Sequence, residues 1–203
     1  MSEVDVVFFD VGGVLLTNGW DRSSRRAACE AFDLDWEDFQ DRHDFVADAF
    51  ERGELTLDRY LERTVFYRDR EFTRAAFVDF MKTRSEPHQD ALEVAARLSA
   101  DGRHVMATLN NESRELNDYR IDTFGLRDHF SMFFSSCYLG TRKPEPDIYR
   151  MAVDVVQRPP GRCVFVDDRE LNLECADLAG IRPVHATNAG EIVAGLRDHG
   201  IEI

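Results

Sequence analysis

Five short apolar runs set the terms on which this chain can fold: Val4–Phe9, Val105–Leu109, Met132–Phe134, Val164–Val166 and Val184–Ala186. Each suits a buried strand, and helical periodicity fills the intervals between them. From Pro87 to Ala100, residues Ala91, Leu92, Ala95 and Leu98 share one face, and Gly102 offers a stop. Further helices are expected near Glu145–Val156, behind a proline-rich entry, and near Leu171–Ala179, ended by Gly180. Strands alternating with helices predict an α/β fold, a parallel sheet with helices on both faces.

One region breaks the alternation. From about Asp21 to Arg84 the pattern is helical and no strand is evident, with Thr56 a candidate cap for a helix beginning at Leu57. The expected division is a core of residues 1–16 and 88–203 and a helical insertion of residues 17–87 that packs on the core as a lid or cap.

At 203 residues, with 43% hydrophobic residues and 15 Phe, the chain has enough apolar mass for a sizeable core. No apolar run approaches the ~20 residues of a membrane span. The first apolar run lacks a basic leader and breaks at Asp10, so no signal peptide is expected. Cys29, Cys137, Cys163 and Cys175 are scattered, with no CxxC pair. A reduced, cytoplasmic protein without structural zinc is the expectation. The net charge of −14, from 25 basic and 39 acidic residues, opposes general binding to nucleic acid or anionic lipid. A monomer and a homodimer are equally compatible with these features.

Polar residues end several of the apolar runs. Asp10 closes the first and is followed by Val11-Gly12-Gly13, a turn that lets backbone approach a ligand closely. Asp167 and Asp168 close the fourth, and adjacent carboxylates at a buried strand end call for a cation. Asn110 and Asn111 follow the second and can donate to an oxyanion. Lys143, in GTRKPEPDIY, is one of only two lysines in a chain that otherwise uses arginine, which suggests a compact ammonium is required there. Each signal has a plainer reading as a turn, a cap or a surface charge. Together, carboxylates, Mg²⁺ and a lysine make a site for a phosphate ester.

These stretches, in this order, resemble the motifs of the haloacid dehalogenase-like superfamily. FFDVGGVL is similar to its first motif, GTRKPEPDIY to its lysine motif and FVDDRELNLECADLAGI to its fourth, over roughly residues 4–16 and 88–187. The insertion resembles the family's small α-helical (C1-type) cap, and ERGELT, Glu51–Thr56, resembles a stretch of its sugar-1-phosphatase-like branch. The resemblance implies a Rossmann-like three-layer core and a Mg²⁺-dependent phosphatase of a small phosphorylated metabolite, a sugar phosphate among the candidates. It implies Asp10 as nucleophile and Lys143 as phosphate-binding cation. Mg²⁺ would be held by Asp10, Asp168 and the Gly12 carbonyl, with Asp167 close by, while Asn110 and Asn111 donate to the phosphoryl group.

Two positions depart from the family pattern. Glycine at position 12 replaces the usual acid/base aspartate, a function worth ~10²–10⁴-fold in rate. Leu109 or Asn110 stands where Thr or Ser is usual; Asn110 is the preferred alignment, leaving Thr108 structural and facing a helix. These departures keep a non-catalytic phosphate-binding scaffold in view, and a 2-haloacid dehalogenase behind it. Arg22, Arg25 and Arg52 could meet a second anionic group of the substrate, although surface charge is the plainer role for any one of them.

Overall fold

Val6–Phe9 forms strand β1, and its four residues are fully buried. Alternation explains this. Val7 and Phe9 pack into the cluster on one face of the sheet, while Val6 and Phe8 pack into the cluster on the other. The computed structural model describes residues 3–203. Helices α1 (Arg22–Ala31), α2 (Trp36–Glu51), α3 (Leu57–Thr64) and α4 (Arg74–Lys82) follow β1, and α5 (Gln89–Asp101) leads to β2 (Val105–Asn110). Then come α6 (Arg114–Thr123), β3 (Met132–Ser135), α7 (Ser136–Leu139), α8 (Pro146–Val156), β4 (Cys163–Asp167), α9 (Glu170–Leu178), β5 (Arg182–His185) and α10 (Ala189–Asp198).

The strands form one parallel sheet in the order β3-β2-β1-β4-β5. The chain builds outward from β1 on one side, then returns to build on the other. That reversal opens a crevice beyond the carboxyl end of β1, where ligands bind in such sheets. Phe9 is in register with Thr108 and with Val166, so Asp10 stands level with Asp167. All five expected strands are present, shifted by up to two residues.

The four helices from Arg22 to Lys82 share their own apolar cluster, built on Phe39, Phe50, Tyr60, Leu61, Phe77 and Met81. Their starts are capped locally. Asp21, Asp35, Thr56 and Thr73 each accept a backbone N–H of the first turn. Two connections tie this layer to the sheet, and Thr17 staples them together: its hydroxyl donates to the Arg84 carbonyl and accepts from the Glu86 N–H. The helical layer also touches the loops at the sheet's carboxyl edge. Arg142 pairs with Glu51 at 3.1 Å, and Arg52 pairs with Glu145. No helix among the described residues is long and apolar enough to cross a membrane.

Candidate active site

Asp10 is fixed from both sides. Its backbone N–H extends the pairing with β4 by donating to the Val166 carbonyl, and its Oδ1 accepts the Val11 N–H at 2.7 Å. The other carboxylate oxygen meets Lys143 Nζ at 3.0 Å. Lys143 is almost fully buried, and the same ammonium reaches Asp167 at 2.6 Å. Asn111 clamps the lysine's backbone, accepting its N–H and donating to its carbonyl, each at 2.8 Å.

Asp167 is saturated. Beyond Lys143 it accepts the Arg169 N–H and the Asn172 amide. Asp168 differs: its Oδ1 is buried and has no hydrogen-bond partner. Burial alone would lower the Lys143 pKa, but Asp10 and Asp167 outweigh it and hold the pKa above its usual value. Burial pushes the Asp10 carboxyl up; Lys143 opposes this, and Asp167 adds to it. Burial and Asp167 raise Asp168 in the same direction. Both partners of the Asp10–Lys143 pair thus shift upward, for different reasons: burial raises the carboxyl, and the carboxylates around it raise the ammonium.

Asp10, Asp167 and Asp168 each offer an oxygen, all within 4.8 Å of one another. An oxygen-only donor set with surplus negative charge suits a hard divalent cation such as Mg²⁺, and the unpartnered Asp168 oxygen is the donor such an ion would satisfy.

The two glycines after Asp10 have different tasks. Gly13 has φ +82°, and a Cβ there would fall 2.4 Å from Asp168 Oδ2. No other residue fits between the turn and that carboxylate. Gly12 lacks this constraint, since a Cβ there would meet Asn18 Oδ1 at an ordinary 3.4 Å.

A cavity of about 380 Å³ opens above Asp10. Asp10, Gly12, Asn111 and Lys143 form its floor, with Arg142 and Arg169 from neighbouring core loops and Asn172 from α9. Trp20, Arg22, Arg25, His43, Phe50 and Glu51 line it from the helical layer.

The fold corrects two sequence readings. Asn110 does not line the cavity; it is 1% exposed, donates its amide to Asn117 and accepts from Ser135. It is the last residue of β2, and its side chain is spent bracing that strand against α6 and β3. Thr108 is fully buried, and its hydroxyl has no hydrogen-bond partner. Arg52 is absent from the cavity wall and bridges Asp48, Glu145 and the Gly140 carbonyl. His43 went unnoticed in the sequence, although a signal is there: Phe39, His43, Val46 and Phe50 share the buried face of α2, with one titratable residue in an apolar stripe.

Residues 4–180 match the description of the haloacid dehalogenase-like hydrolases. The chain belongs to that family. It is 30% identical over 164 residues to flavin mononucleotide hydrolase 1 of Arabidopsis thaliana, a match covering 80% of this chain and 65% of that protein. The chain thus spans about two thirds of that relative's length. Over 118 residues it is 30% identical to a phosphoserine phosphatase of Thermus thermophilus, covering 58% of this chain and 46% of the relative. A haloacid dehalogenase-family enzyme of Bacteroides thetaiotaomicron superposes with a TM-score of 0.80 at 19% identity, covering 97% of this chain and 99% of that one. A structure of that enzyme with magnesium and inorganic phosphate gives 0.74 at 19% identity, covering 90% and 93%.

Proposed function

We propose that the chain is a Mg²⁺-dependent phosphatase of a small phosphorylated metabolite, working through an aspartyl-phosphate on Asp10. The observation that carries this is the seating of Asp10 on the cavity floor, between a buried ammonium and the unpartnered carboxylate of Asp168. The magnesium and phosphate bound by the Bacteroides relative, and the phosphatase names of the relatives matched by sequence, favour the same chemistry.

Asp10 attacks phosphorus, a new Asp10 oxygen–phosphorus bond forms to give an acyl phosphate, and the bond to the substrate's leaving oxygen breaks. Water then attacks phosphorus, releasing inorganic phosphate and restoring the carboxylate. Lys143 neutralises the phosphoryl oxygens as charge spreads in the transition state, and Asn111 keeps it in position by holding its backbone. Asp10 and Asp168, with Asp167 and the Gly12 carbonyl, are the groups to hold Mg²⁺. When bound, the ion supplies further positive charge to the phosphoryl group. Gly12 provides no proton for the leaving oxygen. The leaving group therefore departs readily by itself, or takes its proton from water or its own hydroxyls.

The helical layer corresponds to a C1-type cap over residues 17–87, and ERGELT ties it to the core loops. Glu51 meets Arg142, Arg52 meets Glu145, and Gly53 passes close to Cys137. The ERGELT resemblance favours the sugar-1-phosphatase-like branch, and the Asp167–Asp168 pair counts against the dehalogenases, which need no metal carboxylates.

The test is phosphate release from p-nitrophenyl phosphate and a panel of phosphorylated metabolites, with Mg²⁺ or with chelator, beside Asp10→Asn. Mg²⁺-dependent release that the variant loses supports the reading. Release that survives in Asp10→Asn would remove Asp10 as nucleophile. No release from any compound would favour a phosphate-binding scaffold.

A further inference from the structure

In a chain with 39 acidic residues, Arg22, Arg25 and Arg169 line the cavity without an ion pair among the described residues, and of these three only Arg25 is partly buried. Its guanidinium is held by neutral groups, donating through Nε to Gln40 Oε1 at 3.1 Å and through Nη1 to the Trp20 carbonyl at 2.8 Å. The nearby acids are engaged elsewhere. Asp44 accepts from the amide nitrogen of that same Gln40 at 2.6 Å, so Gln40 stands between the acid and the arginine. Asp21 caps α1 through Ser23 and Ser24. Glu51 pairs with Arg142. A fixed, partly buried cation without a counter-ion, facing a cavity, has room for an external anion.

His43 lines the same cavity, and its tautomer can be read from its partners. Trp20 Nε1 can only donate, and it donates to the Tyr60 hydroxyl at 2.9 Å. Tyr60 is fully buried, so its own hydrogen needs an acceptor, and His43 Nδ1 stands 2.9 Å away. The relay runs Trp20 to Tyr60 to His43 and leaves the imidazole hydrogen on Nε2. Burial, with Arg25 adding to it, keeps this imidazole neutral at neutral pH. The ring therefore presents a neutral N–H donor with a set orientation.

We propose that Arg25 and His43 Nε2–H form a subsite on the cap side of the cavity for a second anionic group of the substrate. The substrate class is then a small phosphomonoester that also bears a carboxylate or a second phosphate. This rests on the phosphatase reading for the first phosphate, while the subsite itself is a binding claim.

The experiment is isothermal titration calorimetry on the Asp10→Asn protein in Mg²⁺, using matched ligand pairs that differ in the second anion. Glycerol 3-phosphate is set against 3-phosphoglycerate for a carboxylate, and fructose 6-phosphate against fructose 1,6-bisphosphate for a phosphate. At least one anion-bearing member should bind about tenfold or more tightly than its partner, and which pair responds names the anion. Adding Arg25→Met should bring that ratio to within about twofold. Arg25→Lys, which keeps the charge and loses the fork, should leave it intermediate. If Arg25→Met does not fold, Arg25→Gln takes its place, and His43→Gln should lower the same ratio. Equal binding within both pairs, binding of no member, or a preference untouched by these substitutions would each overturn the subsite. Phosphate release by the unsubstituted chain is measured in parallel: preference without release sustains the subsite and sinks the phosphatase, and release without preference does the reverse.

Discussion

Gly13 and Asp168 share a space that admits no side chain: a Cβ on Gly13 would lie 2.4 Å from Asp168 Oδ2. The turn after β1 and the acid after β4 are therefore set against each other. Gly13→Ala should displace Asp168 and also impose a positive φ on alanine, which costs roughly 1–2 kcal/mol. The expected outcome is a lower melting temperature and loss of Mg²⁺ binding by calorimetry. Gly12→Ala should change the melting temperature little, because its backbone and surroundings accept a Cβ. Equal effects of the two substitutions would contradict this division of labour.

The same tolerance makes Gly12→Asp informative. The position lines the cavity beside Asp10, and the new side chain would project near Asn18 and Arg120. The variant should fold and should gain general acid–base help, on the order of 10²-fold for substrates with poor leaving groups. Rates on p-nitrophenyl phosphate, whose leaving group needs no proton, should gain far less. No gain in a folded variant would mean that another group already supplies the proton, and a uniform gain would mean that the new acid acts on a step other than departure of the leaving group.

Lys143 neutralises two buried carboxylates at once. Lys143→Met should cost about 3–5 kcal/mol in urea unfolding, because it leaves buried charge unpaired. Removing one of those charges as well, in Lys143→Met/Asp167→Asn, should recover part of the loss. Simple addition of the two single effects would show that the residues do not act as a unit.

Much of this arrangement was legible in the sequence because strand ends carry both signals at once. The apolar runs gave the strands, and the acids at their tips gave Asp10, Asp167 and Asp168. Asn110 misled because a polar residue at a strand end looks alike whether it faces a ligand or braces a neighbouring helix; only the buried partners Asn117 and Ser135 separate the two. Gly13 was hidden for a related reason, since its contact with Asp168 spans most of the chain. His43 and Arg25 were illegible as a pair because their meaning depends on Tyr60, Trp20 and Gln40 from three different segments.

Gly53 brings the layer of helices α1 to α4 onto the loops at the sheet's carboxyl edge. Its φ is +74°, and a Cβ there would fall 2.3 Å from the Cys137 carbonyl oxygen. Gly53→Ala should therefore push the Glu51–Arg142 and Arg52–Glu145 pairs apart and raise KM by about tenfold, ~1.4 kcal/mol of lost substrate binding. Gly102→Ala is the control for backbone strain: its φ is +68°, but nothing lies within 4 Å of its added Cβ. It should lower stability without raising KM. A KM unchanged in Gly53→Ala would mean that docking of the helical layer at this point does not shape the substrate site.

His43 gives the helical layer its own response to acid. Its pKa falls to about 4 from the ordinary 6.5, through burial first and then Arg25, with Asp44 opposing. Between those values the unfolded chain takes up a proton that the folded chain refuses. Unfolding is thus favoured progressively as pH drops, and the contribution is fully present only above about 6.5. Comparing the chain with His43→Gln isolates this from the carboxylates, which both proteins share. The advantage of histidine over glutamine in urea unfolding should shrink by ~2 kcal/mol between pH 7.5 and pH 5. A difference that stays constant across this range would mean that the imidazole protonates as easily in the folded helical layer as in the open chain, and the Trp20–Tyr60–His43 relay would lose its fixed tautomer.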